Sequence, residues 1–309
     1  MSERDRPSRL WPLLELVRIQ LTPTAVADSF TGYCLASAVV GRDDKTSVPT
    51  LLLLALSSVA AYWSGMISND WFDREKDVAG RKNRPIARGS VTPTSAAILC
   101  IILSIISVVT ALIISTFAGL TAVTLLSVAN LYNGGGKRVP IAGNLLMGIC
   151  RTLNLFLGAA AVLHPSSLLE RPEILVAGAI LGLYVAGVTA ASVLEDRPHV
   201  PGVFLATTAP LILVPLTLAL LPTRNVWAVL NSVALGVLLV KAMARGYLKP
   251  RASPSLHPAE EFVRAGLSNL LLVDAGILLS KELLAPAISV YGLMILAWLW
   301  RRRWLQSQP

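Results

Sequence analysis

Long apolar runs separated by short polar intervals set the pattern of this chain. Crossing a hydrocarbon core of about 30 Å takes roughly 20 apolar residues in a helix. Ten stretches approach that length: 18–40, 49–68, 95–114, 116–132, 145–163, 173–193, 203–221, 226–243, 263–280 and 285–300. The pattern predicts an all-α fold, a polytopic transmembrane bundle of nine to ten spans. No stretch is long enough for a separate soluble domain, so residues 1–309 read as one unit.

Composition agrees with this reading. The 309 residues are 54% hydrophobic and 15% charged, more apolar surface than a soluble domain can hide, so the bilayer is the main partner. Basic residues cluster in alternate loops: Arg74 to Arg88, Lys137 and Arg138, Arg197, and Arg301 to Arg303 fall on one side with the N-terminal arginines. Retained loops rich in Lys and Arg are cytoplasmic, which places both termini there. The net charge of +9 follows from that bias, and a nucleic-acid reading has no basic soluble domain to rest on. Thr22, Thr24, Asp28 and Ser29 make the first span too polar for a signal peptide, so it is expected to be retained. Cys34, Cys100 and Cys150 lie in apolar stretches without metal-site spacing and read as small core residues.

The second run leads directly into Asn69-Asp70-Trp71-Phe72-Asp73-Arg74-Glu75-Lys76-Asp77. If the helix continues, Asn69, Asp70, Asp73 and Asp77 share one stripe. Such an oxygen-rich stripe suits Mg²⁺, which is held by one or two carboxylates together with phosphate oxygens and water. A solvated helix end with mixed charges is the equal alternative on spacing alone. Arg81, Lys82, Arg84 and Arg88 follow on the same side. Arginine grips phosphate oxygens bidentately, although topology alone also favours basic residues here. Lys137 and Arg138 come after three glycines, whose small size lets backbone approach an anion. Arg151, Asn154, Asn144 and Asp274 fall inside apolar runs. Such residues face a cavity or pair with one another. Glu195-Asp196-Arg197 after the sixth run is a weak echo of the first acidic loop.

The motif Asn69-Asp70-x-x-Asp73-x-x-x-Asp77, trailed by Arg84-Pro85-Ile86-Ala87-Arg88-Gly89, resembles the UbiA superfamily of intramembrane prenyltransferases. The resemblance implies a helical bundle with a cavity open to lipid. There Mg²⁺ holds the diphosphate of a polyprenyl donor, the allylic C–O bond ionises, and an aromatic or other lipophilic acceptor captures the carbocation. It implies Asn69, Asp70, Asp73 and Asp77 as metal ligands, with Asp70, Asp73 and Lys137 as catalytic residues. Arg18, Arg84, Arg88, Arg151, Asn154, Glu195 and Asp196 are then the substrate-binding set. The family's second aspartate motif departs here, because Glu195 and Asp196 are adjacent and no acid follows near residue 200. That departure, the tenth span, the segment from Gly143 to Gly158 and the Leu271–Ala275 segment are similar to the EboC subgroup. The expected location is a bacterial cell membrane with the acidic and basic loops cytoplasmic. Prenyl transfer is the expected activity. A protein that binds or traffics a lipid diphosphate without turnover is the alternative, and a transporter using Arg151 and Asp274 ranks third.

Overall fold

The structure is a computed structural model that describes residues 10–41, 47–80, 83–139, 141–195, 197–221, 223, 225–248 and 257–306. A short helix α1 (Trp11–Leu16) leads through a 3₁₀ turn, Ile19–Leu21, into α2 (Thr22–Val39), α3 (Val48–Gly80), α4 (Pro93–Ile114), α5 (Thr116–Gly134) and α6 (Ala142–Ala159). After the short α7 (Pro165–Leu169) come α8 (Pro172–Ser192), α9 (Pro201–Thr208), α10 (Leu213–Leu220), α11 (Val226–Leu248), α12 (Pro258–Ser280) and α13 (Leu284–Gln306). All ten apolar runs are helical, and no strand occurs among the described residues.

Six of these segments are long and apolar enough to cross a membrane: α3, α4, α8, α9–α10 taken together, α11 and α12. The chain is an integral membrane protein. The run over 203–221 is interrupted by a 3₁₀ turn, Ala209–Ile212. Pro210 and Pro215 each lack an amide proton for an i→i−4 bond, and this accounts for the break.

Between lipid-immersed helices, tight packing and hydrogen bonds replace the hydrophobic drive. A Cβ on Gly158 would lie 1.8 Å from the Ser29 carbonyl oxygen, and one on Gly32 1.8 Å from that of Leu155, so α2 and α6 cross backbone to backbone. Ser57 Oγ donates to the Ser107 carbonyl at 2.8 Å, tying α3 to α4. Helix α12 is buried continuously from Asn269 to Ser280 and forms the centre of the bundle. Outer helices turn Ile98, Ile101, Ile105 and Leu112 of α4 outward, toward lipid.

Candidate functional site at the mouth of the bundle

Helix α3 has no proline or glycine from Asn69 to Ala79 and runs unbroken through the acidic motif to Gly80. At 1.5 Å per residue its 33 residues span about 50 Å, so its last turns project beyond a hydrocarbon core. Asp70, Asp73 and Asp77 are therefore one stripe at the end of a span, and each meets a cation. Arg84 donates from Nη1 to Asp70 Oδ1, and its Nε lies 3.7 Å from Asp77 Oδ2. Arg18 Nη2 reaches the same Asp70 oxygen at 3.3 Å. Lys137 Nζ donates to Asp73 Oδ2 at 2.6 Å and to Asn69 Oδ1 at 3.0 Å. Burial pushes the Lys137 ammonium below the usual lysine range, against the Asp73 contact, which draws it back up.

Local folding explains how these cations arrive. Arg18 sits in the left-handed region, φ 50° and ψ 55°, at the break between α1 and the following turn. A non-glycine residue adopts this at a cost of about 1–2 kcal/mol, and the break aims its side chain at Asp70. Arg84 belongs to a turn in which Ser90 and Val91 both donate backbone N–H to the Pro85 carbonyl, at 3.0 and 3.2 Å. Ile86 and Val91 of that turn are buried against Leu16, Val17 and Ile67. Lys137 follows α5, whose end is pinned to α3 by Asn133 Nδ2 donating to the Gly65 carbonyl at 2.9 Å. Two glycines near Lys137 serve packing: a Cβ on Gly136 would lie 2.9 Å from the Leu131 carbonyl oxygen, and one on Gly143 2.9 Å from Lys137 Cα. Of the glycine run itself, only Gly136 is so confined, and a Cβ on Gly135 would meet nothing within 4 Å.

Asp70, Arg84 and Arg18 line one end of a cavity of about 1440 Å³. Its wall continues with Glu260, Arg264, Ser268 and Asn269 of α12, and apolar side chains such as Leu271, Met294 and Trp298 complete it. Glu15, Glu260 and Arg264 were not expected from the sequence. Glu15 and Glu260 lie just before apolar runs and Arg264 at the start of one, and nothing local in the sequence marks them as cavity residues.

Other expected residues fall elsewhere. Arg88 turns to Glu15 and to the Asn83 carbonyl, 3.1 Å away, bracing α1 against the loop rather than joining the acids. Arg151 and Asn154 also lie apart from the large cavity. Arg151 Nη1 donates to Asp28 Oδ2 at 2.8 Å, and Asn154 Nδ2 donates to the same atom at 3.1 Å. Both line a smaller cavity of about 80 Å³ together with Tyr62 and Tyr132. Arg151 thus does both of the things open to it, pairing with Asp28 and facing a small cavity. Glu195 lies in the turn after α8 and is not among the residues lining the large cavity. Asp196, Arg81 and Lys82 lie outside the described residues.

The donor set fits Mg²⁺ in its chemistry: carboxylate and amide oxygens on one helix face, at the end of a cavity with room for further ligands. No three His, Cys, Asp or Glu among the described residues form a cage for an ion unaided.

A lipid-embedded helical bundle with acids and bases interleaved at one end of a largely apolar cavity defines the class, a polytopic membrane protein with a charged site beside an apolar cavity. Residues 30–257 match the UbiA prenyltransferase family, and the chain belongs to it. It is 29% identical over 153 residues to the digeranylgeranylglyceryl phosphate synthase of Sulfurisphaera tokodaii, covering 49% of this chain and 53% of that protein. It is 32% identical over 170 residues to the synthase of the same name from Methanothrix thermoacetophila, 55% and 61% of the two chains. The chain thus spans between half and two thirds of the length of these curated relatives. Among solved structures, the apo UbiA homolog from Aeropyrum pernix K1 superposes with a TM-score of 0.65 at 19% identity, over 84% of this chain and 97% of that one. A UbiA homolog from Archaeoglobus fulgidus bound to DMAPP and Mg²⁺ superposes with a TM-score of 0.61 at 14% identity, over 90% and 98%. These likenesses establish the fold.

Proposed function

We propose that this chain, read over residues 1–309 as one catalytic unit, is a Mg²⁺-dependent prenyltransferase. It moves an isoprenoid group from a polyprenyl diphosphate to an acceptor within the membrane. The observation that carries the proposal is the interlocked set of Asp70, Asp73 and Asp77 with Arg18, Arg84 and Lys137, of which Asp70, Arg18 and Arg84 line the end of the cavity. Mg²⁺ held by Asn69, Asp70, Asp73 and Asp77 supplies charge neutralisation of the diphosphate. Arg84 and Arg18 exchange part of their contact with Asp70 for phosphate oxygens, and Arg84 makes the bidentate grip. Lys137 stabilises charge that grows on the diphosphate as the allylic C–O bond breaks. The apolar wall shields the allylic carbon from water until an acceptor oxygen bonds to it and releases its proton.

The relatives' name points to a glyceryl phosphate lipid as the acceptor class, and the aromatic acceptor expected from the superfamily finds no support. Binding or trafficking without turnover is likewise unsupported, since these relatives are named as synthases. We place the site at the cytoplasmic face on the strength of the Lys and Arg bias, and take a cell membrane as the location. The test is transfer of a labelled polyprenyl group to a prenylglyceryl phosphate by the full chain in nanodiscs. Asp70→Ala should abolish transfer, and undiminished transfer would remove the assignment.

A further inference from the structure

Charges inside the bundle are left over from the proposed reaction. Asp28 on α2 and Asp274 on α12 are both 0% exposed. Arg151 and Asn154 satisfy Asp28 Oδ2 alone. Asp28 Oδ1, both carboxylate oxygens of Asp274 and the hydroxyl of Thr31, another fully buried group, find no hydrogen-bond partner outside their own cluster. Asp274 faces Asp28, Thr31 and Arg151 within that cluster, close enough to Thr31 and Asp28 for hydrogen bonding. The cluster holds two carboxyl groups against one guanidinium. Two fully buried carboxylates against one guanidinium leave a charge that the bundle interior has to compensate.

We infer that Asp28, Thr31 and Asp274 form a buried site for one monovalent cation, a proton or an alkali ion, accepted by these four oxygens. One positive charge brings the cluster to neutrality with Arg151, whereas a divalent ion would leave an excess positive charge in a buried site. A proton on Asp274 gives that carboxyl a hydrogen to donate to Asp28 Oδ1 and leaves an oxygen to accept from Thr31. An alkali ion takes the same oxygens as ligands. The site lies close to the walls of the large cavity: Thr24 and Leu271 line that cavity, and Asp28 and Asp274 lie one turn further along the same helices. Its occupant therefore ties α2 to α12 beside the cavity. The inference is independent of which group the protein transfers.

The experiment uses the full chain in lipid nanodiscs. The thermal midpoint is measured in sodium chloride and in choline chloride at equal ionic strength, and the infrared spectrum is recorded for the carbonyl stretch of a protonated carboxyl. The expected result is either a midpoint several degrees higher in sodium, which identifies the alkali ion, or a carboxylic acid band, which identifies the proton. Either signal should disappear in Asp274→Asn, which keeps the shape and adds a donor. Thr31→Val, which removes only the hydroxyl, should weaken the sodium effect or shift the band. Equal midpoints together with identical carbonyl bands in the wild type and Asp274→Asn would overturn the inference. The wild-type salt comparison stands even if a variant does not fold.

Discussion

Lys137 Nζ lies 2.6 Å from Asp73 Oδ2, joining the turn after α5 to the acidic stripe of α3 across 64 residues of sequence. The side chains are largely shielded, at 16% and 14% exposed, so the contact is stronger than a surface pair and depends on both elements staying in place. Lys137→Gln keeps the reach and removes the charge. The expected outcome is a loss in kcat on the order of 10²–10³, the size seen when one preorganised donor to developing charge is removed. Steady-state transfer assays check it, with a thermal melt to show that the variant is folded.

Arg84 bridges two acids of the stripe, Asp70 and Asp77. Its planar fork should bind diphosphate oxygens in a way lysine does not reproduce. Arg84→Lys should weaken binding of a non-cleavable prenyl diphosphate analogue in Mg²⁺ by about tenfold, equivalent to about 1.4 kcal/mol. Titration of the analogue into the nanodisc-embedded chain measures it.

The Arg151–Asp28 pair is a stability element. Arg151→Met strips the counter-charge from a carboxylate with 0% exposure and should destabilise the bundle by about 3–5 kcal/mol. Asp28→Asn combined with Arg151→Met should recover most of that loss, because no unpaired charge remains at Asp28. Unfolding midpoints of the single and double variants in one detergent provide the comparison.

Two glycines should respond in opposite directions to alanine. Gly158→Ala drives a Cβ into the Ser29 carbonyl and should cost about 1–3 kcal/mol or more by forcing α2 from α6. Gly292, within α13, has nothing within 4 Å of its added Cβ. There alanine should stabilise by about 0.5–1 kcal/mol through helix propensity. Thermal melts of both variants check the pair.

Much of this architecture was legible from local pattern. The apolar runs are helical, although six segments rather than nine to ten are long and apolar enough to cross a membrane, and the stripe of Asp70, Asp73 and Asp77 followed because no breaker separates Ser68 from Gly80. Lys137 and Arg84 were found through their basic character beside span ends. What escaped depends on tertiary contact. Asp28 is the partner of Arg151 from 123 residues away, and in sequence it read only as a polar interruption of the first span. Glu260 and Arg264 join the cavity because α12 forms one of its walls, which charge placement along the chain does not reveal. Arg88 carries the same motif signal as Arg84, yet the fold turns it to Glu15.

The most direct test of the central claim is Mg²⁺-dependent transfer of label from a polyprenyl diphosphate to a prenylglyceryl phosphate by the purified full chain in nanodiscs, compared with Asp73→Ala. The account predicts a labelled lipid product with release of diphosphate, lost on chelation of Mg²⁺, restored by adding it back, and absent in the variant. Product formation that survives chelation, or that Asp73→Ala leaves unchanged, would contradict it.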